Sequence, residues 1–478
     1  MGPRRISPAS VIRLLGAWRG ERTGPAYGQL ADSLRLLILD GRLPLDLVLP
    51  GERELAQALE VSRTTVTAAM ARLRDDGFLD RRQGAGARTR LPSGPGERGA
   101  GTLAPLETDG LLDLASAAPP ASEAVHGAYA AALSMLPAHL PQTGYGALGL
   151  PRLREVIAAR YARRGLPTAP EQIMVTNGAQ HALALMLRLL AGPGDRVVID
   201  HPTYPHAIDA IQRASCRAVP VGLPDQGWDL EGVTAALSQS GPRLAYFIAD
   251  FHNPTGRWMA PETRAAIAAA ARRTRTTLVF DETLVDLWLD DPIQPYAFED
   301  VQGLVRLGSM GKSFWGGLRL GWIRADAQTI QALGPRRASI DLGTPLLEQL
   351  AAVHLLENDE APLAARRELV RGRRDHLIDL MRARLPDWRV TSPPGGLSLW
   401  AELPSAVSTS LAATSERFGL RLAAGPRFGV DGAFERFLRV PYTLPPENLA
   451  EAVDRLAMAY ARLRPTGTPA RASMGVVV

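Results

Sequence analysis

Among the 54 basic residues of this 478-residue chain, Lys312 is the only lysine. A guanidinium is charged at every biological pH and is a poor nucleophile, whereas a lysine amine can be deprotonated by its surroundings and condense with an aldehyde. Lys312 closes the run Ser309-Met310-Gly311-Lys312, and Gly316-Gly317-Leu318-Arg319 follows. One glycine-rich segment therefore carries a hydroxyl, an amine and a guanidinium, a set suited to an aldehyde bearing a phosphate. Gly178-Ala179-Gln180 opens a helix after a strand, where free amides and the helix dipole favour a phosphate. Asp281 ends the apolar run TTLVF, where a carboxylate is costly unless it meets a cation such as a protonated pyridine nitrogen. Asn253 in HNPTG suits a hydrogen bond to a phenolic oxygen, and Tyr204 in HPTYP suits stacking on a ring.

The elements that would position these residues alternate. QIMVTNG precedes AQHALALMLRLLAG, DRVVIDHP precedes HAIDAIQRA, RLAYFIADFHNP precedes PETRAAIAAAARR, and TTLVFDE follows. This order predicts an α/β domain with a mostly parallel sheet, whose ligands sit beyond the carboxyl ends of the strands.

The charge is partitioned unevenly. The net of +5 lies wholly within residues 1–92, and the rest of the chain is neutral. A basic segment on a neutral body is the footprint of a nucleic-acid-binding module. Within it, Leu30, Leu34, Leu37 and Ile38 recur at helical spacing up to Gly41, and Glu52 to Leu59 reads as a second helix. Ser62 caps a third, Arg63 to Asp76, with Val66, Ala69, Met70 and Leu73 on its apolar side. FLDRR and ARTRL flank Gln83-Gly84-Ala85-Gly86 as a hairpin. Three helices and a basic hairpin describe a winged helix-turn-helix, whose third helix enters the major groove.

Hydrophobic residues make up 46% of the chain and charged residues 22%, which excludes global disorder. No apolar run approaches the ~18 residues of a membrane span, and Arg13 interrupts any signal-peptide core, so a cytoplasmic protein, on the nucleoid when bound to DNA, is expected. Cys216 is the single cysteine and has no zinc-site neighbours, and the spacing of His126, His181, His201 and His206 suits no metal. No metal is expected. The Pro/Gly-rich stretch from Leu91 reads as a linker. The expected organisation is a winged helix-turn-helix over 1–90 with its core at 25–90, a linker over 91–110, an α/β domain over 111–465 and a disordered tail over 466–478.

The segment from Gly41 to Pro92 resembles the GntR family of bacterial DNA-binding domains. The resemblance implies that Arg53, Arg63, Thr64, Thr65 and the wing Gly84 contact DNA, with the capping Ser62 beside them, and that the operator is bound by a dimer. Gly51 departs from the serine of many relatives and weakens a cap. Roughly residues 110–460 resemble the fold-type-I aminotransferases, which bind pyridoxal 5'-phosphate (PLP): an α/β domain with a mostly parallel sheet and a smaller C-terminal α+β part. An NPTG or an SxxK is weak alone, but the order Tyr145, Gly178-Ala179-Gln180, Tyr204, Asn253, Asp281, Ser309, Lys312, Arg319, Arg439 is specific. By that resemblance Lys312 carries the internal aldimine, Asp281 pairs with the pyridinium nitrogen, Tyr204 stacks and Asn253 meets the ring oxygen. Ser309, Arg319 and the amides at 178–180 hold the phosphate with Tyr145 from the partner subunit, and Arg439 clamps a substrate carboxylate.

Two departures bear on activity. Thr283 and Leu284 stand where relatives place a tyrosine, with the Thr283 hydroxyl as a partial substitute, and alanine replaces a glycine in LASAAPPAS. Both weaken transamination more than PLP binding. The whole architecture resembles the MocR subgroup of transcriptional regulators, which implies a homodimer with exchanged heads and a response to PLP, with or without an amine or amino-acid effector. A working aminotransferase with an accessory DNA-binding domain is the alternative, and a third is a regulator that has lost PLP and uses the large domain for dimerisation.

Overall fold

The computed structural model describes residues 4–16, 18–19, 25–81, 86–90, 111–225, 227–293 and 303–463. Gly84 and the rest of the wing tip, the linker over 91–110 and the tail over 466–478 lie outside the described residues.

The N-terminal part holds α1 (Pro8–Leu15), α2 (Ala26–Leu39), α3 (Glu52–Ala58), α4 (Arg63–Asp75) and the antiparallel pair β1 (Leu79–Arg81) and β2 (Ala87–Thr89). Ser62 ends the turn between α3 and α4 by accepting the Thr65 N–H at 3.1 Å, one of the amides that a helix start leaves unpaired. Gly51 has no side chain to cap α3, and the Glu54 carboxylate instead accepts the Gly51 N–H at 3.3 Å. Leu30, Leu34, Leu55, Val66 and Leu73 form the core. The expected core began at residue 25, but α1 also belongs to it. Ser7 caps α1, Pro8 starts it, and Val11 and Leu15, one turn apart, are buried with Trp18.

The large domain begins with β3 (Leu112–Leu114), α5 (Ala124–Met135) and α6 (Pro151–Arg163). Next come β4 (Ile173–Thr176), α7 (Ala179–Leu190), β5 (Arg196–His201), α8 (Pro205–Arg213), β6 (Arg217–Gly222), α9 (Leu230–Ser240), β7 (Leu244–Phe247), α10 (Pro261–Arg273) and β8 (Thr277–Asp281). After these run β9 (Leu304–Ser309), β10 (Gly321–Arg324), α11 (Ala327–Ala338) and α12 (Leu346–Glu357). The seven-stranded sheet has the order β4-β10-β9-β8-β7-β5-β6. Its strands are parallel except β10, which runs antiparallel to both neighbours. The LAYF run of β7 is buried along its whole length and β8 from Leu278 onward, because helices cover both faces.

The smaller part holds α13 (Glu360–Arg384), β11 (Ser398–Glu402), α14 (Ser408–Ser415), β12 (Leu420–Ala424), β13 (Phe437–Pro441) and α15 (Pro446–Ala461). Its sheet order is β11-β13-β12-β3, and β3 joins it in parallel with Leu112 opposite Leu420. Helix α14 (STSLAATS) is buried nearly all round, because β12 covers one side and α2 of the N-terminal head the other. Its small side chains permit that close approach. Arg35 on α2 donates to the Ala413 carbonyl at 2.5 Å, and Arg427 pairs with Asp40 at 3.4 Å. These contacts and the small face of α14 make a complementary seat for the head. Among the described residues no helix is long and apolar enough to cross a membrane.

Candidate functional site

The strands of the large sheet end on one edge, and the residues singled out above collect there. Gly178 follows β4, Tyr204 follows β5, Asn253 lies beyond β7, Asp281 is the last residue of β8 and Ser309 the last of β9. With Ala179, Gln180, Thr283, Lys312 and Arg319 they line one cleft of about 270 Å³. Its other walls are Ala115 to Ala117, next to β3, and Ser398, Ala423, Arg427, Phe428 and Arg439 of the small part. The cleft thus lies between two sheets, at strand ends where ligands of open α/β folds bind.

Lys312 points into it and donates to the Ala117 carbonyl at 2.8 Å. Burial, then the guanidinium groups of Arg439 and Arg319, bring its amine down to about 8, against an opposing pull from Asp281. A minor fraction of the amine is therefore already neutral near physiological pH, and half of it at about pH 8, as a nucleophile needs. Asp281 is buried. Tyr246 donates its hydroxyl to Oδ2 at 2.6 Å, and the Thr283 N–H donates to Oδ1 at 2.9 Å. The Thr283 hydroxyl bonds Asp281 too, so it serves the carboxylate rather than a ring oxygen. Burial still raises the Asp281 carboxyl above the usual range, because these neutral donors only partly replace water. No cationic side chain pairs with Asp281 among the described residues.

At one end of the cleft Gly178 caps α7 with φ +90°, a conformation that favours glycine, and turns the first amides of α7 outward. Arg319, at φ +48°, donates to the Asn177 carbonyl at 3.1 Å and lies against Gly178. Ser309 Oγ accepts the Gly311 N–H at 3.1 Å. Gly321 on β10 pairs with both Thr176 and Ser309, and a side chain there would meet the Gly308 carbonyl at 2.6 Å and Gly178 Cα at 2.8 Å. The reversed strand thereby holds the two anion-facing loops together. At the other end Arg439 is buried on β13, over the Phe428 ring at 5.0 Å. It donates to the Ala115 carbonyl and, at 3.4 Å, to Asn253 Oδ1. Among the described residues its Nε has no partner, and burial with Arg427 close by pulls its guanidinium down to about 10. A buried cation with an unused donor facing a cavity is arranged for an anion.

Burial raises the Tyr204 hydroxyl to about 12, helped by Asp281, and its ring faces the cleft. Tyr145 is 75% exposed and lines no part of its own chain's cleft. His181 accepts the Asn177 N–H, His201 accepts the Val430 N–H, His206 lines the cleft mouth and His126 is exposed on α5. On the head, Arg53, Ser62, Arg63 and Thr64 are exposed at the start of α3 and α4, and Thr65 is half-buried beside them. Sequence reasoning missed Tyr246, Arg427 and Phe428. Tyr246 sits inside an apolar strand, and GPRFG carries no signal beyond its glycines.

Residues 123–456 match the family described as aminotransferase class I and II, and residues 26–88 match the bacterial regulatory proteins of the gntR family. The chain is 25% identical over 470 residues to the uncharacterized HTH-type transcriptional regulator YisV of Bacillus subtilis, covering 90% of this chain and 95% of that protein. It is 29% identical over 299 residues to 2-aminoadipate transaminase of Thermus thermophilus, covering 61% and 75%. Among solved structures, alpha-aminoadipate aminotransferase LysN from Thermus thermophilus, complexed with N-(5'-phosphopyridoxyl)-L-leucine, superposes with a TM-score of 0.68 at 26% identity, covering 74% of this chain and 93% of that one.

Proposed function

The chain belongs to the aminotransferase class I and II family, and since it also carries a gntR-family head, we propose that it is a transcriptional regulator whose large domain binds PLP and senses an amino compound. The relatives support the regulatory reading, because YisV matches over 90% of this chain whereas 2-aminoadipate transaminase of Thermus thermophilus matches over 61% of it.

The cleft fits PLP on three counts. Asp281 is buried without a cation, as a partner for a protonated ring nitrogen must be. The α7 amides, Ser309 and Arg319 converge where a phosphate would be held. Lys312, with its amine half neutral at about pH 8, is the nucleophile between them. When bound, PLP supplies an aldehyde for amines and an electron-withdrawing ring. In this reading Tyr204 covers the ring, Asn253 orients its oxygen, Thr283 keeps Asp281 charged, and Tyr145 of the partner subunit completes the phosphate site in a homodimer. Arg439 takes the carboxylate of the amino compound. The domain limits are 1–90, 91–110 and 111–465, and the site of action is DNA in the cytoplasm, reached through Arg53, Ser62, Arg63, Thr64, Thr65 and Gly84.

The observation that carries the proposal is the sole lysine facing Asp281 and Arg439 in one cleft, on a chain whose head sits against that cleft's outer wall. Intact Lys312, Asp281 and Arg439 also favour a second reading, an active aminotransferase with an accessory head. The test adds PLP and an amino-acid panel to the purified protein, follows visible absorbance and keto-acid release, and measures binding to duplexes selected from a random library. A spectral response with altered DNA affinity and no keto acid supports the regulator. Sustained keto-acid release without any change in DNA affinity supports the enzyme.

A further inference from the structure

Arg427 belongs to two cavities at once. It lines the main cleft near Arg439, and it lines a second cavity of about 30 Å³ between the head and the small part, with Leu14, Leu36, Asp40 and Glu435. Among the described residues it is the one that lines both. Its partner there is Asp40, the C-cap residue of α2, at 3.4 Å, with 24% of one side chain and 17% of the other exposed. A pair this sheltered is screened little by salt, so what Arg427 binds on one side bears on the other.

The surrounding segment is tied at both ends. The Thr203 N–H, beside Tyr204, donates to the Phe428 carbonyl at 2.7 Å, and His201 accepts from Val430 at 3.0 Å. On the head side Gly16, at φ +55°, meets Asp431 and Gly432 so closely that a side chain there would stand 2.4 Å from the Asp431 carbonyl. Residues 425–432 therefore touch the cleft floor, through Arg427 and Phe428, and two points of the head, at Asp40 and Gly16.

We propose that Arg427 is a second carboxylate-binding group of the cleft, that the cleft accordingly selects an amino acid carrying two carboxylates, and that Arg427, on taking the distal one, leaves Asp40 and loosens the head from its seat. This rests on the PLP-dependent reading above. Arg439 takes the α-carboxylate, and Arg427 exchanges one anion for another, so the guanidinium keeps a partner; the Asp40 carboxylate loses its own and is costly to leave buried, which favours release of the head into water. Coupling is reciprocal: whatever weakens the Asp40 pair strengthens binding of the dicarboxylate.

The test uses the full-length protein loaded with PLP and two probes without an α-hydrogen, 2-methylglutamate and 2-methylalanine, which bind without turnover. Visible absorbance reports their affinities and hydrogen exchange reports α2. In the wild type 2-methylglutamate binds more tightly and speeds exchange in α2, whereas 2-methylalanine leaves α2 unchanged. Arg427→Gln lowers the affinity ratio of the two probes about tenfold, and Asp40→Asn, remote from the cleft, raises it by about fivefold. An Asp40→Asn ratio equal to that of the wild type, or exchange in α2 that ignores 2-methylglutamate, overturns the proposal. Should Arg427→Gln fail to fold, the Asp40→Asn ratio decides alone. A wild-type protein that shows no PLP absorbance would instead remove the reading on which the proposal rests.

Discussion

The Tyr246 hydroxyl donates to Asp281 across two adjacent strands at 2.6 Å, so a phenol on the interior of β7 holds the carboxylate at the end of β8. Asp281 is buried and pushed above its ordinary range, and neutral donors are what oppose the shift. Tyr246→Phe removes one of them. Hydrogen bonds to charged groups contribute about 1.5–3 kcal/mol, so PLP affinity should fall roughly ten- to hundredfold, and Asp281→Ala should lower it further. Absorbance titration measures both, and equal affinity in Tyr246→Phe and wild type would remove Tyr246 from the site.

Lys312→Ala should lose the visible absorbance of bound PLP, and Arg439→Ala should keep it but no longer respond to amino acids. The pH dependence follows from the lowered amine value of about 8. Below it the ammonium form dominates and cannot attack, so capture of PLP by the cofactor-free protein should accelerate as pH rises through about 8 and level off above. A midpoint near the ordinary lysine value in stopped-flow traces would contradict this. The same depressed value makes the unfolded chain bind more protons between about 8 and 10.5, so the destabilisation caused by burying the Lys312 ammonium is relieved as pH rises over that window.

Arg264 and Asp250 are both fully buried and pair at 2.6 Å, while the guanidinium also donates to the Met259 and Ala249 carbonyls. This fork braces the loop that carries Asn253. Arg264→Ala leaves a buried carboxylate alone and should destabilise the fold by about 3–5 kcal/mol in denaturant titrations. Loss under 1 kcal/mol would mean that water reaches Asp250.

Arg63 is exposed at the first position of α4. If it reads a base, Arg63→Ala should cost about 1–3 kcal/mol on the preferred duplex and little on others. Equal weakening on every duplex, with a shallower salt dependence, would make it a phosphate contact. Ser62→Ala removes the cap on Thr65 and should lower head stability by about 1 kcal/mol in thermal melts.

Gly178, Tyr204, Asn253, Asp281 and Ser309 were legible because each stands at or just beyond the end of an apolar strand, Lys312 because it is the sole lysine, and Arg439, inside β13, only through the resemblance. A polar or charged group at such a point is conspicuous, which is why Asp281, Asn253 and Ser309 could be read in order. Tyr246 was hidden because the continuous apolar run LAYF marks it as core, and only the β7 to β8 register brings its hydroxyl to a carboxylate. Arg427 is one arginine among many, and its position depends on a sheet whose first strand is β3 and whose other strands come last in the chain. Helix α1 was overlooked because Arg13 was read only as an interruption, while Val11 and Leu15 on the opposite side face the core. The reversal of β10 leaves no mark in its apolar pattern.

The seat of the head has a consequence in time. The contacts that fold the head are local, between Leu30 and Leu79 or nearby, whereas Arg35 meets Ala413 across 378 residues. At roughly 5–20 residues per second a ribosome needs a fraction of a minute or more to make the intervening chain. During that interval a nascent head is folded, basic and unattached, able to find DNA before any part of the machinery that restrains it has been synthesised.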